Sequence, residues 1–308
     1  MMTRVCCVIR PNIHDLHHSI HVGQEDDILE ILEHSSIDIN ATVCGTTALS
    51  LTLYKERYPI FRLLLDHPNI SRQLNLNKLS KDDKQRFEPP LVTACRLGNR
   101  EAVRLLIENG VDLEGEDNFQ HTSLWMATSQ RYMDIVEYLI ASGANVNPSL
   151  LWTHSPLFFA VRCSSKRTEI AKMLIYHGAE VNIMKGLSLL YCAIIQGNLP
   201  IAKLIVDAGY NVSMDKKLRK ELVLGLLSRN SVLLAWLEEE LNVPASLQQQ
   251  CRTIVRRNIS SSHSGRFFLQ KLQQLPLPQS IIHYLALTND MEHIQCKQKL
   301  TQTTTVSK

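Results

Sequence analysis

Four related strings decide the fold: LLIENGVDLE at 105–114, YLIASGANVN at 138–147, MLIYHGAEVN at 173–182 and LIVDAGYNVS at 204–213. Each ends an apolar helical stretch on a glycine, Gly110, Gly143, Gly178 and Gly209, at intervals of 33, 35 and 31 residues. A period of this size marks one supersecondary unit repeated along the chain. The apolar pair before each glycine (Leu105–Leu106, Leu139–Ile140, Leu174–Ile175, Leu204–Ile205) is placed to face the neighbouring unit. The glycine takes the left-handed position that ends a helix, where a Cβ is penalised.

Upstream of each string lies a second one: PPLVTA at 89–94, TSLWMA at 122–127, SPLFFA at 155–160 and SLLYCA at 188–193. The first residue of each is suited to cap an inner helix, and Pro90 or Pro156 fits a first turn that needs no amide donor. The alanine is small enough to let adjacent inner helices approach, and Gly98 and Gly197 allow the turn to the outer helix. This arrangement resembles the ankyrin repeat, with its T-P-L-H-x-A string. Two weaker repeats precede it, at 14–40 and 45–70, and a helix pair at 216–227 and 230–241 reads as a cap. The fold expected is therefore all-α. An ankyrin-repeat solenoid of about six repeats plus a capping helix pair covers 13–241, behind an N-terminal tail at 1–12. Residues 71–88 (with LSKDDKQRFE) read as a polar insertion, and CSSKRT at 163–168 as a longer turn. The polar tail 288–308 is expected to be disordered.

Residues 244–287 leave the pattern. A first helix from 245 to about 258 puts Leu247, Cys251, Ile254 and Val255 on one face and Gln248, Gln249, Arg252 and Arg256 on the other. A Ser-rich hinge, 260–265, leads to a second helix at 266–274; LPLP then forces an extended kink before a third helix at 279–287. Three short helices bury too little surface to stand alone and need a partner. Ser246-Leu247-x-x-x-Cys251-x-x-x-Val255 resembles the elongin C-binding box, and Leu272-x-x-Leu275-Pro276-Leu277-Pro278 resembles the box that selects cullin-5. Together they look like a SOCS box, and the whole chain is similar to the ankyrin repeat and SOCS box family. That resemblance implies that Ser246, Leu247, Cys251 and Val255 bind elongin C, which is paired with elongin B. It also implies that Leu272 and Leu275 to Pro278 contact cullin-5, which carries the RING subunit. Physically this is helix-in-groove recognition.

The remaining features exclude other classes. Among 308 residues, 44% are hydrophobic and 20% charged, and the net charge of +3 provides no basic face for nucleic acid. The basic clusters 216–220 and Arg256–Arg257 read as solvated helix faces. Eight cysteines without a C-x-x-C pair argue for a reducing compartment, cytosol or nucleus. No run of eighteen apolar residues offers a membrane span. His14, His17, His18 and His21 share a helix face, yet no carboxylate or cysteine completes a metal set. Cys95 and Cys192 read as small core residues and Cys251 as an anchor; Cys6–Cys7 lack a second membrane signal. With no phosphate loop, paired catalytic carboxylates or triad, neither cofactor, metal nor catalytic residue is expected.

The resemblance thus implies a non-catalytic substrate adaptor of a cullin-5 ubiquitin ligase. The substrate, a protein of unspecified identity, is expected on the face lined by Arg96, Phe119, His121, Gln130, Trp152, His154, Arg162, Lys185 and Gln196. Exposed aromatic, Arg and His residues favour binding hot spots. The alternative is a plain ankyrin scaffold whose C-terminal helices only cap the stack, with Leu247, Cys251 and Val255 buried against the last repeat.

Overall fold

The computed structural model describes residues 12–33, 37–82, 84–148, 154–162, 168–182, 188–212, 215, 218, 235–237, 246–262 and 267–287. The chain divides into two compact units, residues 1–144 and 145–308.

The first unit is built of helix pairs: α1 (Ile13–Val22) with α2 (Glu25–Glu33), α3 (Ala48–Tyr54) with α4 (Tyr58–Asp66), α5 (Pro90–Leu97) with α6 (Arg100–Glu108), and α7 (Ser123–Gln130) with α8 (Met133–Ala141). The inner helices α1, α3, α5 and α7 pack in sequence order, and Ala94 and Ala127 are fully buried where α5 meets α7. Helix starts are set by side-chain caps. Asn12 and Asp15 form a reciprocal capping box, and the hydroxyls of Thr47 and Thr122 accept the amides of Ser50 and Trp125. Pro90 stands in the first turn of α5. The outer helix α6 buries Ala102, Val103, Leu105 and Leu106 and leaves its charged face in water.

The segment 71–88 departs from the expected polar loop. Strands β3 (Ser80–Lys81) and β4 (Phe87–Glu88) pair antiparallel, as do β1 (Thr42–Val43) and β2 (Thr46–Thr47). The Ser80 hydroxyl lies 2.8 Å from that of Thr47, and the Lys81 amide donates to the Gly45 carbonyl at 2.9 Å. Asn40 accepts the Asn75 amide at 2.7 Å, and Asn77 accepts that of Asp112 at 2.9 Å. The stretch is therefore stitched into the repeats on both sides. Its polar composition supplies turn asparagines and hairpin hydroxyls, which composition alone does not distinguish from a loop.

In the second unit α9 (Pro156–Arg162) pairs with α10 (Thr168–Tyr176) and α11 (Leu189–Ile195) with α12 (Leu199–Asp207). The same asparagine stitch recurs: Asn147 accepts the Glu180 amide at 2.7 Å, and Asn182 that of Asn211 at 2.9 Å. In both units Gly110, Gly143, Gly178 and Gly209 close the outer helices at φ +80°, +93°, +84° and +102°, as their spacing predicts. Of the expected capping pair only Leu218 and residues 235–237 are described, and Leu218 and Leu237 are buried. The tails 1–11 and 288–308 and residues 163–167 lie outside the described residues.

Three further helices follow, α13 (Leu247–Ser262), α14 (Phe268–Gln273) and α15 (Gln279–Ala286). The first runs to Ser262, so half of the expected hinge is helix. Phe268, Leu272, Ile282, Leu285 and Ala286 form a separate small core, with Val255, Ile259, Leu269 and Leu275 packed on it.

Candidate functional site

The start of α13 is fixed by a reciprocal cap. The Gln249 amide donates to the Ser246 hydroxyl at 3.2 Å, and the Ser246 amide to the Gln249 side-chain oxygen at 2.8 Å. Ser246 thereby orients the helix. Beyond it the helix has two faces of opposite character. Leu247 is 76% exposed, Ile254 is 59% exposed and Cys251 is open to solvent. Their spacing of four and three residues aligns them in one apolar stripe. Val255 turns partly inward onto the Phe268 core, so Ile254 is the aliphatic side chain that extends the stripe outward.

The opposite face contradicts the sequence expectation. Arg256 is only 4% exposed and Arg252 and Ser260 are also buried; only Arg257 keeps the solvated position expected of the cluster. The Arg256 Nη2 donates to the Ile175 carbonyl and Nη1 to the Leu285 carbonyl, both at 2.6 Å. These carbonyls lie in the last turns of α10 and α15, where the helix dipole favours a cation. The guanidinium also sits 4.8 Å from the centre of the Phe268 ring. Burial, reinforced by the neighbouring Arg252 charge, pulls the Arg256 pKa down to about 9. Arg252 pairs with Asp207 at 3.0 Å and lies 4.6 Å from the Tyr284 ring centre. The Ser260 hydroxyl donates to the Gly178 carbonyl at 2.7 Å and takes a bond from Asn147 Nδ2 at 3.0 Å. Helical periodicity assigns polar residues to water; here the carbonyl ends of neighbouring helices take water's place.

Leu272, expected to contact a partner, is buried in the small core, and Leu275 packs against it. The exposed part of LPLP is Pro276, Leu277 and Pro278, and Ile281 one turn later is exposed as well. Ile281 was not singled out in the sequence, because an apolar residue in the first turn of a short helix does not by itself say which way it faces.

The residues expected to face a substrate are only partly accessible. In the first unit Arg96 is held in an ion pair with buried Glu88, its Nε 3.1 Å from Oε1, and it also approaches Asp82 at 3.8 Å. Phe119 is 55% exposed and Gln130 is exposed. His121 stacks on Trp125 with centroids 3.6 Å apart and lies 3.3 Å from Asp117. Burial alone raises the Asp117 pKa, but the His121 side chain and the amides of His121 and Phe119 outweigh it and hold the carboxyl below its usual range. In the second unit Arg162 and Gln196 are exposed, with the Gln196 amide nitrogen 3.2 Å from the Arg162 carbonyl, and His154 is half-buried. Trp152 and Lys185 lie outside the described residues. Of the histidine row, His17 is buried while His14, His18 and His21 are exposed. Among the described residues no group of three or more His, Cys, Asp or Glu is arranged to hold a metal. Cys95 and Cys192 are buried. None of the described helices is long and apolar enough to cross a membrane.

Comparison with known proteins finds two kinds of module in the chain. Residues 68–150 match the model for ankyrin repeats (3 copies), 154–185 that for the ankyrin repeat, and 243–286 that for the SOCS box. The ankyrin repeat domain of Bcl-3 superposes with a TM-score of 0.54 at 22% identity, over 64% of this chain and 87% of that one. An ankyrin repeat domain from Acinetobacter baumannii gives 0.54 at 24% identity, over 64% of this chain and 99% of that one. Ankyrin repeat and SOCS box protein 11 of Mus musculus is 33% identical over 94 residues, 30% of this chain and 28% of that protein. The Homo sapiens protein of the same name is 27% identical over 196 residues, 64% of this chain and 48% of that protein. Alpha-latrocrustotoxin-Lt1a of Latrodectus tredecimguttatus matches at 31% over 39% of this chain and 8% of its own length. These matches span less than half of each curated relative. The chain is an ankyrin-repeat protein that carries a SOCS box. It belongs with the ankyrin repeat and SOCS box proteins and is homologous to ankyrin repeat and SOCS box protein 11.

Proposed function

We propose that this chain is a non-catalytic substrate adaptor of a cullin-5 RING ubiquitin ligase, acting in the cytosol or nucleus and promoting ubiquitination and degradation of its targets. One observation carries the reading: Leu247, Cys251 and Ile254 form an exposed apolar stripe on a helix whose other face is already occupied. Such a stripe is an anchor row for a groove, and elongin C, paired with elongin B, is the partner that the SOCS box implies. Pro276, Leu277, Pro278 and Ile281 would meet cullin-5. Substrate protein would be held on the repeats by exposed Phe119 and Gln130 with His121 in the first unit, and by exposed Arg162 and Gln196 with His154 in the second; Arg96, engaged by Glu88, supports the repeats of the first unit. The chain then contributes proximity: a tethered lysine near the charged conjugating enzyme gains effective concentration without chemistry in this chain.

Leu247→Ala with Cys251→Ala should reduce elongin C affinity by about a thousandfold. Both side chains are exposed, so the melting temperature should stay within a degree or two of wild type. Co-purification of the double mutant with elongin C at wild-type yield would sink the reading. Alanines at Pro276, Leu277 and Pro278 should weaken cullin-5 and spare elongin C; equal loss of both would show that LPLP only supports the fold. The scaffold alternative requires Leu247, Cys251 and Val255 to be buried against the last repeat; Val255 is partly buried on the Phe268 core, and the exposure of Leu247 and Cys251 speaks against it.

A further inference from the structure

Polar side chains at i, i+4 and i+8 of α13, Arg252, Arg256 and Ser260, are buried and all bond to repeat elements: Asp207 at the end of α12, the Ile175 carbonyl of α10 and the Gly178 carbonyl. The close fit continues at the glycines. A Cβ built on Gly178 would fall 2.6 Å from a Phe268 ring carbon, and one on Gly209 2.5 Å from the Thr253 methyl. The glycine turns that end the repeats are thus seats for the following module. Arg256 is the pin, since one guanidinium bonds α10 and α15 at once and stacks on Phe268 between them.

We propose that Arg256, supported by Arg252, is a positioning residue. It locks the ligase-binding helix to repeats α9 to α12 in a single orientation, so that a bound substrate is presented to the ligase in one geometry. This rests on the adaptor reading above. A guanidinium suits the task because its planar fork reaches two carbonyls in fixed directions, which an ammonium does not.

The test uses the full chain with ketone-bearing residues at exposed positions 162 and 273, spin-labelled, and measures the distance distribution between them. Wild type should give one narrow peak. Arg256→Met should widen it at least about twofold while elongin C affinity changes by less than about threefold, because the binding stripe lies on the opposite face. Arg256→Lys should restore thermal stability yet leave the distribution broad. In reconstituted ligase the lysines modified on the adaptor should spread to more sites in Arg256→Met. An unchanged width in Arg256→Met overturns the proposal, as does loss of elongin C binding with the fold intact. If Arg256→Met does not fold, Arg252→Met decides in the same way. Failure of wild type to bind elongin C would overturn the adaptor reading instead, while the width comparison still tests the lock.

Discussion

Arg96 illustrates how a residue's role depends on what lies beneath it. By position it belongs to a repeat surface, but its guanidinium neutralises the Glu88 carboxylate, which is fully buried and also bonded by the Thr93 hydroxyl. Removing one partner of a buried pair strands the other charge, so Arg96→Ala should cost about 3–5 kcal/mol in the first unit, read by denaturant titration. A loss below about 1 kcal/mol would return Arg96 to the binding surface. His17 makes a second residue-scale prediction. Burial, with help from His14, lowers its pKa from 6.5 to about 4. Between those values the unfolded chain binds a proton that the folded one refuses. The stability it contributes is therefore complete above pH 6.5 and lost as pH falls toward 4. About 2–3 kcal/mol should disappear by pH 4.5. His17→Gln should flatten that dependence, and equal pH slopes for mutant and wild type would refute the assignment.

At the scale of elements, the repeats were legible and the docking of the last three helices was not. Gly178 was readable because a left-handed helix stop leaves a glycine at a fixed period. Its second role, as the place where Phe268 sits, depends on a contact made across the fold. The same holds for α13: its apolar stripe obeys local periodicity, whereas the burial of Arg252 and Arg256 depends on carbonyls from α10 and α15. Leu272 likewise fell within a partner motif but packs in the module's own core, since a motif string does not say which way a side chain faces. The element-scale prediction follows from the two roles of the glycine. Gly178→Ala meets both a φ of +84° and the Phe268 ring, so it should destabilise the second unit by about 2–4 kcal/mol. Gly110→Ala has a similar φ of +80° but open space around its Cβ, and should cost only about 1–2 kcal/mol. Melting curves of the two variants separate strain from collision, and equal losses would show that Phe268 is not seated on Gly178.

For the whole molecule, the consequence is thermodynamic linkage. If one face of α13 binds elongin C while the other caps α10 through the Ile175 carbonyl, a partner that stabilises the helix must also stabilise the repeats it caps. Free elongin B/C at a hundred times its Kd adds about 2.7 kcal/mol to any state that requires the bound conformation. Amide exchange should then slow not only in 247–287 but also in 168–182 and 201–212, which pack against the side of α13 that carries Arg252, Thr253 and Arg256. The slowing at the Ala179 and Tyr210 amides, which close the turns at Gly178 and Gly209 by bonding back to Leu174 and Ile205, is the most direct measure. Arg256→Met should leave protection of α13 intact and remove the gain at those two amides. Were the gain confined to 247–287 in wild type, the module would be a passive tether, and the repeats would carry substrate without sensing the ligase.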